Sequence, residues 1–239
     1  MTIEPSIITS LGDELYDALI AGETIPNLRD RNPDIDIVDA YRIQERLVAR
    51  RLETGEEIIG KKIGVTSKAV QEMIGVFEPD FGQLTDAMLV ADDATVERKS
   101  LIQPKAEGEI AFILKHDLTG PGVTAADVLE ATEYVTACFE IVDSRIRDWD
   151  IRIQDTVADN ASCGIFAIGT QQVNPRDIDL ASVSMKIDRN GTEVASGVGA
   201  AVQGSPLNSV AWLAIEISVG DTLLLSLSDG LGTCRLTFT

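Results

Sequence analysis

The stretch that most constrains this chain is Pro104-Lys105-Ala106-Glu107-Gly108-Glu109-Ile110-Ala111-Phe112-Ile113-Leu114. β-Branched and aromatic residues follow a turn-forming proline, so the spacing predicts a strand. Residues two apart on a strand share a face. Glu107 and Glu109 therefore project together, with Ala111 and Ile113 continuing that face. Gly108, Ile110, Phe112 and Leu114 make the other. Two carboxylates side by side on an apolar strand repel and resist burial unless something compensates. A hard divalent cation does so, because carboxylate oxygens are the ligands that Mg²⁺ or Mn²⁺ prefers. An edge strand with both glutamates in water is the alternative.

Two further stretches carry charge where a strand is expected. Tyr134 to Asp143 reads as an apolar strand interrupted by Glu140. A carboxylate there points to a paired or metal-bound state, and three carboxylates with open water positions suit Mg²⁺. Ile58 to Ser67 reads as a strand containing Lys61 and Lys62. A buried lysine would neutralise a carboxylate cluster or hold a proton at lowered pKa; a solvated edge pair is the alternative.

Composition narrows the function classes. A length of 239 residues allows one large domain or two small ones, and 44% hydrophobic with 25% charged residues is an ordinary globular balance. The net charge of -19 argues against nucleic acid and against anionic membrane surfaces as partners. No run is long and apolar enough to span a bilayer, and Met1-Thr2-Ile3-Glu4-Pro5 lacks the pattern of a signal peptide. Cys138, Cys163 and Cys234 are odd in number and widely spaced, which fits free thiols in a reducing, cytoplasmic setting. His116, the single histidine, sits in a polar turn, Lys115 to Gly120. Histidine-based zinc sites and Ser-His-Asp triads are thereby excluded, and acid–base work falls to Glu, Asp, Lys, Tyr or water.

The remaining pattern predicts helices over 7–22 and 38–52, with Asp36 ahead of the second and Gly55 after it. A short helix is expected at 68–74, a hairpin of 88–91 with 94–97 around Asp92-Asp93, and a helix over 125–132 capped by Thr124. The polar segment 151–161 suits a pocket wall or an ordinary loop. A hairpin turns at Arg189-Asn190-Gly191, and Pro206 to Ala214 reads as a helix. Val219-Gly220-Asp221 reads as a turn ahead of strands at 223–227 and 234–238. The glycines at 197, 199 and 204 are not a phosphate-binding loop, lacking both the Lys-Ser/Thr and the strand–glycine–helix context.

Five motifs together resemble the hydratase/decarboxylase group of the fumarylacetoacetate hydrolase superfamily. They are Gly60-Lys61-Lys62-Ile63-Gly64-Val65-Thr66-Ser67, Pro79-Asp80-Phe81-Gly82, Glu107-Gly108-Glu109-Ile110-Ala111, Phe139 through Ile146, and Asp155 through Gly164. The resemblance implies an α+β fold of mixed, curved β-sheets, with an N-terminal helical layer over 1–57 and a catalytic domain over 58–239. It implies Mg²⁺ or Mn²⁺ held by Glu107, Glu109 and Glu140, an active-site lysine at Lys62 and Asp80 nearby. Asp159, Asn160 and Ser162 are expected on the substrate-binding wall. The implied activity is addition of water to 2-hydroxypenta-2,4-dienoate, giving 4-hydroxy-2-oxopentanoate in aromatic meta-cleavage catabolism. The alternatives are decarboxylation of a 2-oxo-3-enedioate such as 4-oxalocrotonate, or a weakly active partner subunit. A homo-oligomer and a complex with 4-oxalocrotonate decarboxylase are the implied assemblies.

The chain departs from that pattern after Trp212-Leu213-Ala214. The family continues through the rest of a helix, a loop and a strand ending in a Ser/Thr-Gly motif that lines the pocket. Here Ala214 passes directly to Ile215-Glu216-Ile217-Ser218-Val219-Gly220. This apparent deletion is expected to remove a core strand and one pocket wall.

Overall fold

The computed structural model describes residues 3–216, 222–225 and 236–238. Helices α1 (Pro5–Ala21), α2 (Leu28–Arg31) and α3 (Ile37–Glu53) come first. Helix α3 starts where the side chain of Asp36 accepts from the Asp39 amide. It turns Ala40, Ile43 and Leu47 inward at helical spacing, against Leu11 and Leu15 of α1. The same core takes in Val157 and Ala158, so the helical layer is packed on the rest of the molecule.

Then follow β1 (Ile58–Gly64), α4 (Lys68–Ile74), β2 (Asp80–Thr85), β3 (Leu89–Val90), β4 (Ala94–Val96) and β5 (Lys105–Leu114). After them come α5 (Ala125–Ala131), β6 (Thr132–Val142), α6 (Ile153–Ala158), β7 (Cys163–Ile168), β8 (Ser184–Arg189), β9 (Thr192–Val198), α7 (Pro206–Glu216), β10 (Thr222–Leu225) and β11 (Leu236–Phe238). Seven strands form one mixed sheet in the order β2-β1-β10-β5-β6-β7-β3, while β4–β11 and β8–β9 are separate pairs. Facing residues alternate by rung, so the sheet has two distinct interiors. On one face Ile63, Ile110, Phe112, Val135 and Ala167 meet Val128 of α5 and Val210 of α7. The other carries Leu84, Ala111, Cys138 and Phe166 and, as described below, the charged residues.

Two expectations are corrected. The hairpin of 88–91 with 94–97 does not form: β3 pairs in parallel with β7 and β4 in parallel with β11. The turn is present, with Ala94 N donating to Ala91 O, but each short strand finds a distant partner. Segment 151–161 is no open loop. It contains α6, whose Asp155, Thr156, Val157 and Ala158 are buried. The strand expected at 223–227 is present over its described part. Thr222–Leu225 lies between β1 and β5, parallel to the first and antiparallel to the second. The turn at 219–221, residues 226–227 and 234–235 of the two expected strands, and with them Cys234, lie outside the described residues.

Candidate active site

Strand register brings the acidic residues together. Glu107 lies directly across from Glu140, and Glu109 across from Cys138. All three glutamates therefore share one face. Each offers an oxygen within 4.8 Å of the others. Strand β5 is interior to the sheet, which removes the edge-strand alternative. Glu109 and Glu140 are 4% and 1% exposed, while Glu107 opens to solvent. Like charges facing one another across a ladder are destabilising. Glu140 Oε1 moreover has no hydrogen-bond partner among the described residues. A hard cation fits this donor set, because it satisfies buried carboxylate oxygens that the protein leaves open.

Lys62 projects to the same face. On β1 it pairs with Gly82 of β2, and Gly64 pairs with Asp80. The sheet curls so strongly that Lys62 Nζ reaches Glu140 Oε2 at 3.4 Å, three strands away. Lys62 is 4% exposed and also donates to Ala161 O at 3.3 Å. Burial works against its charge, but Glu140, Cys163, Glu107 and Asp80 outweigh it and hold its proton well above the ordinary lysine range. Of the two roles open to a buried lysine, this arrangement matches neutralisation of the carboxylates rather than a lowered pKa. Lys61 faces the other side of the strand and is buried too, so the solvated pair is excluded.

Asp80 is 1% exposed, and neither of its oxygens makes a hydrogen bond of normal geometry among the described residues. Burial raises its pKa, Lys62 opposes the rise and Glu107 adds to it. Burial likewise pushes Glu140 up to about 7, against the pull of Lys62 and with the push of Glu107 and Asp80. The face thus gathers four carboxylates around one ammonium. Gly64 is required there by close approach: a Cβ would collide with Asp80 Oδ1 and come within 3.3 Å of Lys62 Nζ. An open cleft of about 350 Å³ adjoins the cluster, lined by Val65, Thr66, Glu107, Glu109, Met185 and Val198 among others.

The structure brings Lys62, Asp80, Glu107, Glu109 and Glu140 together but sets the other three candidates behind them. Asp159 is fully buried in an ion pair with Arg145, Nε to Oδ1 at 2.5 Å, and also accepts from Ser144 Oγ and Arg145 N. Asn160 spans the backbone of Gln83, accepting from its N–H at 2.8 Å and donating to its C=O at 2.9 Å. Ser162 Oγ lies 3.4 Å from Thr156 Oγ1. Of all the candidates, Glu107 and Glu109 line the cleft, while Lys62, Asp80, Glu140, Asp159, Asn160 and Ser162 do not. His116 is exposed. Sequence reasoning passed over Gln44. It sits among Ala40, Ile43 and Leu47 on the buried side of α3, and a lone amide within an apolar stripe was the available signal.

The Fumarylacetoacetate (FAA) hydrolase C-terminal family profile matches residues 60–230. A 2-hydroxypent-2,4-dienoate hydratase of Pseudomonas putida is 59% identical over 213 residues, covering 89% of this chain and 96% of the relative. A 2-hydroxyhexa-2,4-dienoate hydratase of Comamonas testosteroni is 49% identical and covers 99% of each chain. That alignment runs over 261 residues against the 239 of this chain, so the relative carries residues with no counterpart here. Among solved structures, a 4-oxalocrotonate decarboxylase from Pseudomonas putida G7, complexed with magnesium and adipate, superposes with a TM-score of 0.93. It is 31% identical, with 100% of this chain and 99% of the other covered.

Proposed function

The chain belongs to the fumarylacetoacetate hydrolase family, and from that premise we propose that it is a hydro-lyase. It adds water to 2-hydroxypenta-2,4-dienoate, giving 4-hydroxy-2-oxopentanoate, as a step of aromatic meta-cleavage catabolism. The observation that carries the chemistry is the meeting of the three-glutamate cluster with Lys62 and Asp80 on one sheet face. Glu107, Glu109 and Glu140 would hold a divalent cation, Mg²⁺ or Mn²⁺. When bound there it supplies a Lewis acid for the substrate's carboxylate and 2-oxygen and offsets the carboxylate field that locks the Lys62 proton.

The protein's own groups handle protons. Protonation of the dienol at C5, with loss of the enol proton, gives an enone conjugated to the 2-ketone. In this reading Lys62 is the donor of that proton. Asp80, whose carboxylate is buried and short of hydrogen bonds, takes a proton from the water that adds at C4. Asp80 returns the proton it took from water to C3, and the proton lost from the enol restores the Lys62 ammonium, which completes the hydration. Asp159, Asn160 and Ser162, tied into the scaffold, act in this reading by fixing the loop whose Ala161 carbonyl meets Lys62.

Ultraviolet absorbance of 2-hydroxypenta-2,4-dienoate tests the reading. Loss of the dienol signal is expected with Mg²⁺ or Mn²⁺, arrest with chelator, and recovery on adding metal back. The Glu109→Gln variant should lose turnover by about 100-fold or more, as for removal of a preorganised electrostatic group. Full activity in that variant, or turnover indifferent to chelator, overturns it. The similarity to the decarboxylase favours one second reading, decarboxylation of 4-oxalocrotonate, alone or in complex with a hydratase subunit. CO₂ release from that diacid, without hydration of the dienoate, would select it.

A further inference from the structure

Strand β2 carries Asp80 and lies at the edge of the sheet, with β1 as its single strand neighbour among the described residues. An edge strand exposes backbone N–H and C=O groups on its free side. Here three of those groups, Phe81 O and the N–H and C=O of Gln83, are taken by side-chain amides. Gln44 of α3 donates through Nε2 to Phe81 O at 2.9 Å and to Val157 O at 3.0 Å. Asn160 accepts from Gln83 N–H and donates to Gln83 O, the two bonds a neighbouring strand would make. Residues 81 and 83 are two apart, the spacing at which backbone groups point to the same side. Gln44 and Asn160 are 2% and 1% exposed, so neither amide has water as an alternative partner.

The clamp is reinforced on both sides of the backbone. The Phe81 ring stacks on Tyr41, centroids 4.5 Å apart and 18° from parallel. At Gly82 a side chain would meet Asn160 O at 2.5 Å and Cys163 Sγ at 2.7 Å. Asn160, Ala161 and Ser162 all have left-handed backbones, with φ of 55°, 50° and 56°. Such residues are costly outside glycine and persist only when their surroundings over-determine them. No other side chain holds the Asp80 carboxylate by a hydrogen bond of normal geometry, so its position relative to Lys62 is set by the backbone of β2 that carries it and by Gly64 of β1 against which it lies.

We propose that Gln44 and Asn160 are positioning residues: their amides stand in for a missing strand along the outer edge of β2 and hold the Asp80 carboxylate in register with Lys62. The inference rests on the hydratase reading, in which Asp80 handles a proton. It also gives the helical layer a part in the reaction, because Gln44 and Tyr41 both belong to α3.

The test is a double-mutant cycle on the Mg²⁺-loaded enzyme with 2-hydroxypenta-2,4-dienoate. Asn160→Ala and Gln44→Met should each lower kcat by about 10- to 100-fold, the scale of a misplaced group, with KM held within about twofold. In an Asp80→Asn background the same substitutions should cost less than about threefold, because groups that act as a unit are not additive. Equal losses in both backgrounds, or a loss confined to KM, overturn the proposal and leave the amides as general scaffold. Asn160→Asp keeps the acceptor for Gln83 N–H and loses the donor, and it carries the same test if the alanine variant does not fold. Full activity of Asp80→Asn alone overturns the role of Asp80 in the hydratase reading and the clamp with it.

Discussion

A single missing methyl group shows how closely this site is built. Gly64 has an ordinary strand backbone, so its conformational freedom is not what the position needs. It needs the space, because Asp80 Oδ1 occupies the place of a Cβ. Gly64→Ala should push Asp80 and Lys62 apart and lower kcat by about 100-fold, the order expected when a reacting group moves by an ångström. Steady-state kinetics with a circular dichroism control would check this; unchanged kcat would show that the Asp80 carboxylate is not held there. The sequence made the charged residues legible, since Glu107, Glu109 and Glu140 are anomalous in apolar strands. It did not show what Gly64 or Gln44 touches, because that lies in what another element places beside them.

At the scale of elements, the site stands on a polar scaffold behind the sheet. Arg145, 1% exposed, pairs with Asp159 and donates to the carbonyls of Asp143, Cys163 and Asp159. This one guanidinium ties the end of β6 to the loop before β7. Removing one partner of a buried pair leaves the other charge uncompensated. Asp159→Asn should therefore destabilise the fold by about 3–5 kcal/mol, whereas a surface pair such as Arg176–Glu130 should contribute about 0–1 kcal/mol. Chemical denaturation of Asp159→Asn beside Glu130→Gln would separate these cases, and equal small effects would refute a supporting role for Arg145–Asp159. Helices α1, α3 and α5 and the hairpin at Asn190-Gly191 were readable from periodicity, caps and turn residues. The pairings of β3 and β4 were not, because strands of two and three residues take their partner from tertiary contacts.

For the whole molecule, the acidic cluster couples stability to pH and to metal. In the metal-free protein the Glu140 carboxyl is raised from 4.5 to about 7. Between those values the folded state keeps a proton that the unfolded chain releases. Its contribution is thus fully present below about pH 4.5 and lost as pH rises through about 7. A cation that binds only the folded state stabilises it, by about 2.7 kcal/mol at a hundredfold excess over Kd, and it must compete with that proton. The rise in Tm on adding Mg²⁺ should accordingly be larger at pH 8 than at pH 6 in differential scanning fluorimetry. A rise independent of pH would argue that Glu140 is not among the ligands.

By itself the sequence determined the family, the α+β class, the helical layer and the residue types of the chemistry. Motif spacing and periodicity are properties of the chain alone. Only the tertiary structure decided which of those residues meet. Lys62 and Glu140 are separated by three strand positions and come together because the sheet curls. Asp159, Asn160 and Ser162, polar and close in sequence to the site, turn away into the scaffold. A local pattern shows what a side chain can do; long-range packing sets what it touches, and here that divides the residues facing the cluster from those that hold it in place.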